Sequence, residues 1–268
     1  MKPCQGSVMP RFSAHLGYLF SEHPFDRRFA AARSAGFQAV EHPEPYATPA
    51  AALRRLVDQE GLTFVQFALP PGDASKKEKG YAAWPGRQRE FRDSVEIGLD
   101  YAQVSGARFI QVHSGLVPTD HPPELVWDVY LANLCWASER ARQIGVGVLI
   151  EPIGPGTLAN YFMSRTHLAI EAIQSANCPN LKVLFDIFHS RWAGEDPAAI
   201  IRAHAASLGH VHVADFPGRH EPGTGETNFE KIFSALADIS WTGFVGCEYA
   251  PTSKTEESLG WMHNLPTH

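Results

Sequence analysis

Four cysteines are all that the 268 residues contain, and Cys4, Cys135, Cys178 and Cys247 form neither a CxxC pair nor a regular spacing. No disulfide framework is expected from them; they read as reduced thiols of a cytoplasmic enzyme. Long apolar runs are missing too. No stretch of about 18 apolar residues occurs, which leaves nothing to form a membrane-spanning helix. Residues 1–8 lack the apolar core of a signal peptide and read as a loose, flexible tail ahead of Met9, with 9–268 as one domain. Positive charge is not in excess: Lys+Arg 23 against Asp+Glu 29 gives −6, which argues against a nucleic-acid surface. No Ser/Gly-rich or charged linker divides the chain, and the first predicted turn, Gly17-Tyr18-Leu19-Phe20, lacks the GxGxxG of a dinucleotide fold. Histidine, by contrast, is plentiful at 13 and clusters late.

What is present is a series of short β-branched runs that end in chemistry-bearing residues. Val146-Gly147-Val148-Leu149-Ile150-Glu151-Pro152 is apolar enough to be a strand buried on both faces, and Pro152 stops it just after Glu151. Lys182–Asp186 ends in Asp186, Gly209–Val213 carries His212, and Phe244–Glu248 ends in Glu248. Upstream, Arg11–Leu16, Phe37–Glu41, Leu62–Leu69 and Arg108–His113 read as four more strands.

Helical spacing fills the gaps. Pro24–Ala35 is closed by Gly36, and a helix capped by Thr48 with Pro49 at its first position runs to Gly61. Further helices are predicted over Gly86–Ser105, Pro122–Ile144, Thr166–Ser175, Asp196–Ala206 and Asn228–Ala237. Pro70–Pro85 breaks the rhythm and reads as a mobile surface loop over one end of the fold. Eight strands alternating with helices give an α/β protein, a single (β/α)8 TIM barrel, with catalytic groups at the carboxyl ends of the strands.

Glu151, Asp186, His212 and Glu248 all fall at those ends. Three carboxylates without a cation repel one another, so a divalent ion is the natural compensation; the imidazole disfavours Ca²⁺, and Mg²⁺ or Mn²⁺ is preferred over Co²⁺ or Zn²⁺. His189, three residues past Asp186, is read as a hydrogen-bond partner of a bound hydroxyl, a ligand of a further metal, or a plain loop histidine. Arg219 is the best placed cation for a substrate carboxylate. Glu41 and His113, ending strands two and four, complete the candidate substrate wall.

These residues resemble the hydroxypyruvate isomerase and 2-oxo-tetronate isomerase group of the xylose-isomerase-like TIM barrels. The matching segments run nearly end to end: Arg11-Phe12-Ser13-Ala14, Leu69-Pro70-Pro71-Gly72-Asp73, Ile150-Glu151-Pro152-Ile153, Asp186-Ile187-Phe188-His189, Glu221-Pro222-Gly223-Thr224-Gly225-Glu226 and Gly246-Cys247-Glu248-Tyr249. The resemblance implies a metal-assisted isomerase of carbohydrate metabolism in which Glu151 and Glu248 transfer protons. Its substrate would be a small hydroxycarbonyl acid, hydroxypyruvate or a 2-oxo-tetronate, reacting through an enediolate. The group often has Asn where His15 stands, an aromatic at His42, His-Asn at Phe67-Ala68, Asn at Gly154, and Gln at His212. Three rival readings stay open: a ketose 3-epimerase with the same four ligands, an apurinic-endonuclease-like enzyme (its expected strand-three histidine absent at Gln66 and Phe67), and a non-catalytic sugar-binding barrel. A homo-oligomer, common among the relatives, is compatible with the chain.

Overall fold

The computed structural model describes residues 10–116 and 121–264, so the tail expected over 1–8 lies outside the described residues. In chain order the elements are β1 (Arg11–His15), α1 (Phe25–Ser34), β2 (Ala39–Glu41), α2 (Ala50–Gln59), β3 (Thr63–Phe64), β4 (Gln66–Ala68), α3 (Gln88–Ser105), β5 (Phe109–Val112) and α4 (Pro123–Gln143). They continue with β6 (Gly147–Ile150), α5 (Thr166–Ala176), β7 (Leu181–Asp186), α6 (Ile187–Trp192), α7 (Pro197–Ala203), β8 (Leu208–Val213), α8 (Phe229–Asp238) and β9 (Phe244–Cys247).

The pairings between these strands are all parallel, and the strand order β3-β2-β1-β9-β8-β7-β6-β5-β4 brings the two ends together. β3 and β4 are two halves of one strand. The Val65 amide donates to Val40 O at 2.9 Å, and Val65 O accepts from the Phe109 amide at 3.0 Å, so this residue stitches β2 to β5 and closes the barrel. Phe64 and Phe67, three residues apart, stack with ring centres 5.9 Å apart and 3° between planes. Strict alternation would put them on opposite faces. The strand therefore slips by one residue at its break, which the mainly apolar run Leu62–Leu69 does not announce.

Outward-facing strand residues such as Ile110, Val148, Val183, Val211 and Val245 pack with the inner stripes of the helices, Phe29 and Ala32 of α1, Leu53 and Val57 of α2, and Ile232, Phe233 and Leu236 of α8, in one core. Phe67 joins this layer, edge-on to Tyr46 and Tyr101. Its place is in the packing behind the barrel wall.

Three local expectations are corrected. Thr48 does not cap α2: Pro49 takes the cap position and no side chain bonds the first turn. The helix expected from Gly86 begins at Gln88, because Gly86 sits at φ +84°. The Pro70–Pro85 loop is tied down. Asp73 caps a short 3₁₀ turn (Ala74–Lys76), Glu78 accepts from Tyr81, Arg87 and the Asp73 amide, and Ala82 and Ala83 are buried.

Candidate active site

The carboxyl ends of β6, β7, β8 and β9 place Glu151, Asp186, His212 and Glu248 around one point, each offering a ligand atom within 4.8 Å of the others. Strand parity explains the convergence: Leu149 and Gly147 lie beneath Glu151, and Gly246 and Phe244 beneath Glu248, all pointing to the barrel axis.

Asp186 serves two structures at once. Its Oδ1 accepts from the amides of Phe188 (2.6 Å) and His189 (3.2 Å), capping α6. Its Oδ2 is buried with no hydrogen-bond partner, and so is Glu151 Oε1. An unpartnered buried carboxylate oxygen is costly. Two of them, aimed into one cup beside Glu248 and His212, fit a divalent cation. The donor set of carboxylates and one imidazole suits a hard or borderline ion.

The two glutamates sit in opposite electrostatic settings. Burial, with the nearby charges of Glu248 and Asp186, pushes Glu151 up to about 8. Its one close donor is Gln111 Nε2, 2.6 Å from Oε2. Glu248 goes the other way: burial alone would raise it, but Arg219, His15 and His212 hold it well below the usual carboxylate range. Arg219 donates to Glu248 Oε2 at 2.8 Å and stands 3.7 Å from Asp186 Oδ2. His15 Nε2 lies 3.4 Å from Glu248 Oε1.

Arg219 is carried on a loop that Asp215 folds. Asp215 carboxylate oxygens accept from the amides of Phe216, Gly223, Gly225 and Thr227 at 2.8–3.0 Å. Gly225 has no room for a side chain, since a Cβ would meet Phe216 O and the Asp215 carboxylate. The guanidinium lies between the rings of Tyr18 (5.2 Å) and Phe188 (5.0 Å), a two-sided cation–π setting. Its Nε is buried without a partner.

The other expected wall residues divide. His189 enters the site through α6, its Nδ1 3.3 Å from Thr157 Oγ1 and its Nε2 4.0 Å from Asp186 Oδ2. His113 ends its strand against Gly80, and burial, with Lys79 nearby, lowers it to about 4. Glu41 is fully buried, with both oxygens engaged by Ser13, His210 and His212, so it cannot reach a substrate. Glu41, His210 and His212 also form a second group with metal-ligand spacing. Sequence reasoning missed Gln111, Ser13, His210 and Asp215. The first three could have been found by counting alternate positions back from His113, His15 and His212 along their strands.

Residues 29–265 match the family described as "Xylose isomerase-like TIM barrel". The chain belongs to this family. It is 40% identical over 254 residues to a 2-oxo-tetronate isomerase of Cupriavidus necator, covering 95% of this chain and 98% of that one. To the hydroxypyruvate isomerase of Escherichia coli it is 35% identical over 254 residues, with the same coverage. A crystal structure of a Brucella melitensis protein described as "AP endonuclease, family 2" superposes with a TM-score of 0.92 at 36% identity, over 96% of this chain and 99% of that one. The protein is thus an enzyme of the isomerase class on a TIM barrel, and no helix among the described residues is long and apolar enough to cross a membrane.

Proposed function

We propose that this family member catalyses aldose–ketose type isomerisation of a small hydroxycarbonyl acid in the cytoplasm: hydroxypyruvate to tartronate semialdehyde, or the equivalent step on a 2-oxo-tetronate. The observation that carries the reading is the convergence of Glu151 and Glu248 with Asp186 and His212, under the guanidinium of Arg219. Glu151, Asp186, His212 and Glu248 would hold a divalent ion, Mg²⁺ or Mn²⁺ by preference. Such an ion, when bound, supplies positive charge to the substrate oxygens on which negative charge develops.

Glu151 and Glu248 do the proton work. One takes a proton from the hydroxyl-bearing carbon, the other delivers one to the adjacent carbonyl carbon, and the hydroxyl proton passes to the former carbonyl oxygen. The product is the aldehyde with a hydroxyl at the next carbon. Arg219, with its free Nε, is suited to the substrate carboxylate. His189, its Nδ1 turned to Thr157, offers Nε2 to a substrate oxygen.

The test is a panel of three- to six-carbon hydroxycarbonyls in D₂O followed by proton NMR, with abasic-site DNA as a further substrate. Deuterium entering the product at one carbon from the acids, with no change in fructose or tagatose, supports the reading. Epimerised ketoses with inert acids would transfer the site to a ketose 3-epimerase. DNA cleavage is disfavoured by Gln66 and Phe67 on the third strand and by the net charge of −6.

A further inference from the structure

Below the four candidate ligands the barrel axis holds a buried polar cluster, Ser13, Glu41 and His210, beside apolar Leu149, Val65 and Phe244. Glu41, at the end of β2, is completely buried. Its Oε2 meets His210 Nε2 at 2.8 Å and His212 Nε2 at 3.2 Å, and its Oε1 accepts from Ser13 Oγ at 3.0 Å. An ionised carboxylate only accepts hydrogen bonds, so in both imidazole contacts the hydrogen sits on Nε2. The other ring nitrogen of His212, Nδ1, faces the cup, 3.1 Å from Glu248 Oε2, and in the metal-free protein its hydrogen donates to that carboxylate; an ion in the cup would take that hydrogen's place.

A second observation, from another strand, points the same way. Gly246 of β9 pairs in register with His212. A Cβ there would overlap Glu41 Oε1 and come within 2.6 Å of His212 Cδ2 and 2.9 Å of His210 Nε2. The strand is bare where the carboxylate and the two rings need the volume.

We propose that Glu41 is a positioning residue: it keeps a hydrogen on His212 Nε2 and aims Nδ1 into the four-ligand cup, where a bound ion would meet its lone pair. His210 and Ser13 hold Glu41 in turn. This inference rests on the metal-assisted reading above and gives the buried network a task within it. Partners of this kind behind a ligating histidine fix its ring orientation, and losing one typically costs about 10–100-fold in metal affinity.

The experiment combines Mn²⁺ titration of wild-type and Glu41→Gln protein with histidine ¹⁵N–¹H NMR of the wild type, metal-stripped and Mg²⁺-loaded, His212 being assigned through His212→Asn. Expected are a His212 Nε2 proton protected from exchange in both states, a bare Nδ1 once Mg²⁺ is bound, and Mn²⁺ affinity lowered about 10–100-fold in the variant. An Nδ1–H tautomer in the loaded wild type overturns the proposal, and needs no variant to fold. Equal Mn²⁺ affinity in folded Glu41→Gln overturns it as well. A second ion per chain that is lost in Glu41→Gln would do so too, by placing that ion at Glu41 itself. Wild-type protein that binds no Mn²⁺ removes the metal reading and the proposal together; binding that ignores the substitution removes the proposal alone.

Discussion

Glu151 offers the sharpest test of the site's electrostatics, because its carboxyl is held neutral in the metal-free fold. Burial, Glu248 and Asp186 lift it from 4.5 to about 8. Below pH 4.5 the group is protonated whether the chain is folded or not, and it contributes nothing to pH dependence. Between 4.5 and about 8 the unfolded chain has released this proton while the folded chain keeps it, so stability falls as pH rises. Above about 8 the loss is complete. At about 1.4 kcal/mol for each pH unit, the whole interval is worth on the order of 5 kcal/mol.

Glu151→Gln keeps the shape and removes the titration. The measurement is urea unfolding of metal-stripped wild-type and Glu151→Gln protein between about pH 5 and about pH 9. The wild type should lose stability relative to the variant across that range, and the gap should narrow by about half when Mn²⁺ is added, since saturation at 100 times Kd returns about 2.7 kcal/mol. Below about pH 8, Mn²⁺ affinity of the wild type should also rise with pH, because binding must displace the proton. Two stability profiles that track each other within about 1 kcal/mol would refute the argument that buried like charges crowd this carboxyl.

Glu151→Gln and Glu248→Gln should each lower kcat by at least about 100-fold with the circular dichroism spectrum unchanged; a near-normal rate in either removes it from the proton-transferring pair. Chelation should abolish turnover and Mn²⁺ or Mg²⁺ restore it, whereas full activity at verified zero metal content would make an ion dispensable. Arg219→Lys loses the flat contact with Tyr18 and Phe188, and KM for an acid substrate should rise by about tenfold, read from initial rates; an unchanged KM would free Arg219 from substrate binding. Gly154→Asn, which restores the residue common in the resembling group, should destabilise by about 1–3 kcal/mol in thermal melts. The reason is that a Cβ there would lie 2.5 Å from His189 O and 2.8 Å from Trp192 Cβ; an unchanged Tm would show that this wall can yield.

The four-ligand cluster was legible because each of its strands is a short apolar run with an acid or imidazole at or next to its carboxyl end, so that residue's face follows from period-two alternation. Depth along the axis was not. Glu41 ends its strand as Glu248 does, yet one is sealed under two histidines while the other is 14% exposed at the mouth. Nothing in a single strand's pattern states how far it is staggered against its neighbours. α6 was missed because six residues are too few to show helical periodicity; Asp186 as its cap was the available sign. The split of the third strand is hidden for a related reason: Phe64, Val65 and Phe67 are apolar on either face, and Gln66, the polar residue at the break, is itself buried, so the alternation gives no outward sign of the slip.

The departures from the resembling group also sort by position. Phe67 lies among the outer aromatics and alters packing behind the barrel wall, while His42 sits edge-on to Phe25 and accepts from the Glu44 amide. His15 is different: it touches Glu248, and its Nδ1 is buried without a partner. Of the carboxylates at the site, Glu248 has Arg219 and His15, and Glu41 has two imidazoles and a hydroxyl. Glu151 has an amide, and Asp186 Oδ2 has Arg219 at 3.7 Å and no hydrogen bond. Of the four ligand-set residues, the one without a cation at close range is therefore Glu151, whose near partner is the Gln111 amide. The same imbalance sets the two glutamates apart in the metal-free protein, one holding its proton and the other released from it. Identical side chains acquire opposite protonation states from their neighbours, so substitutions at Arg219 or His15 would act on the chemistry through Glu248.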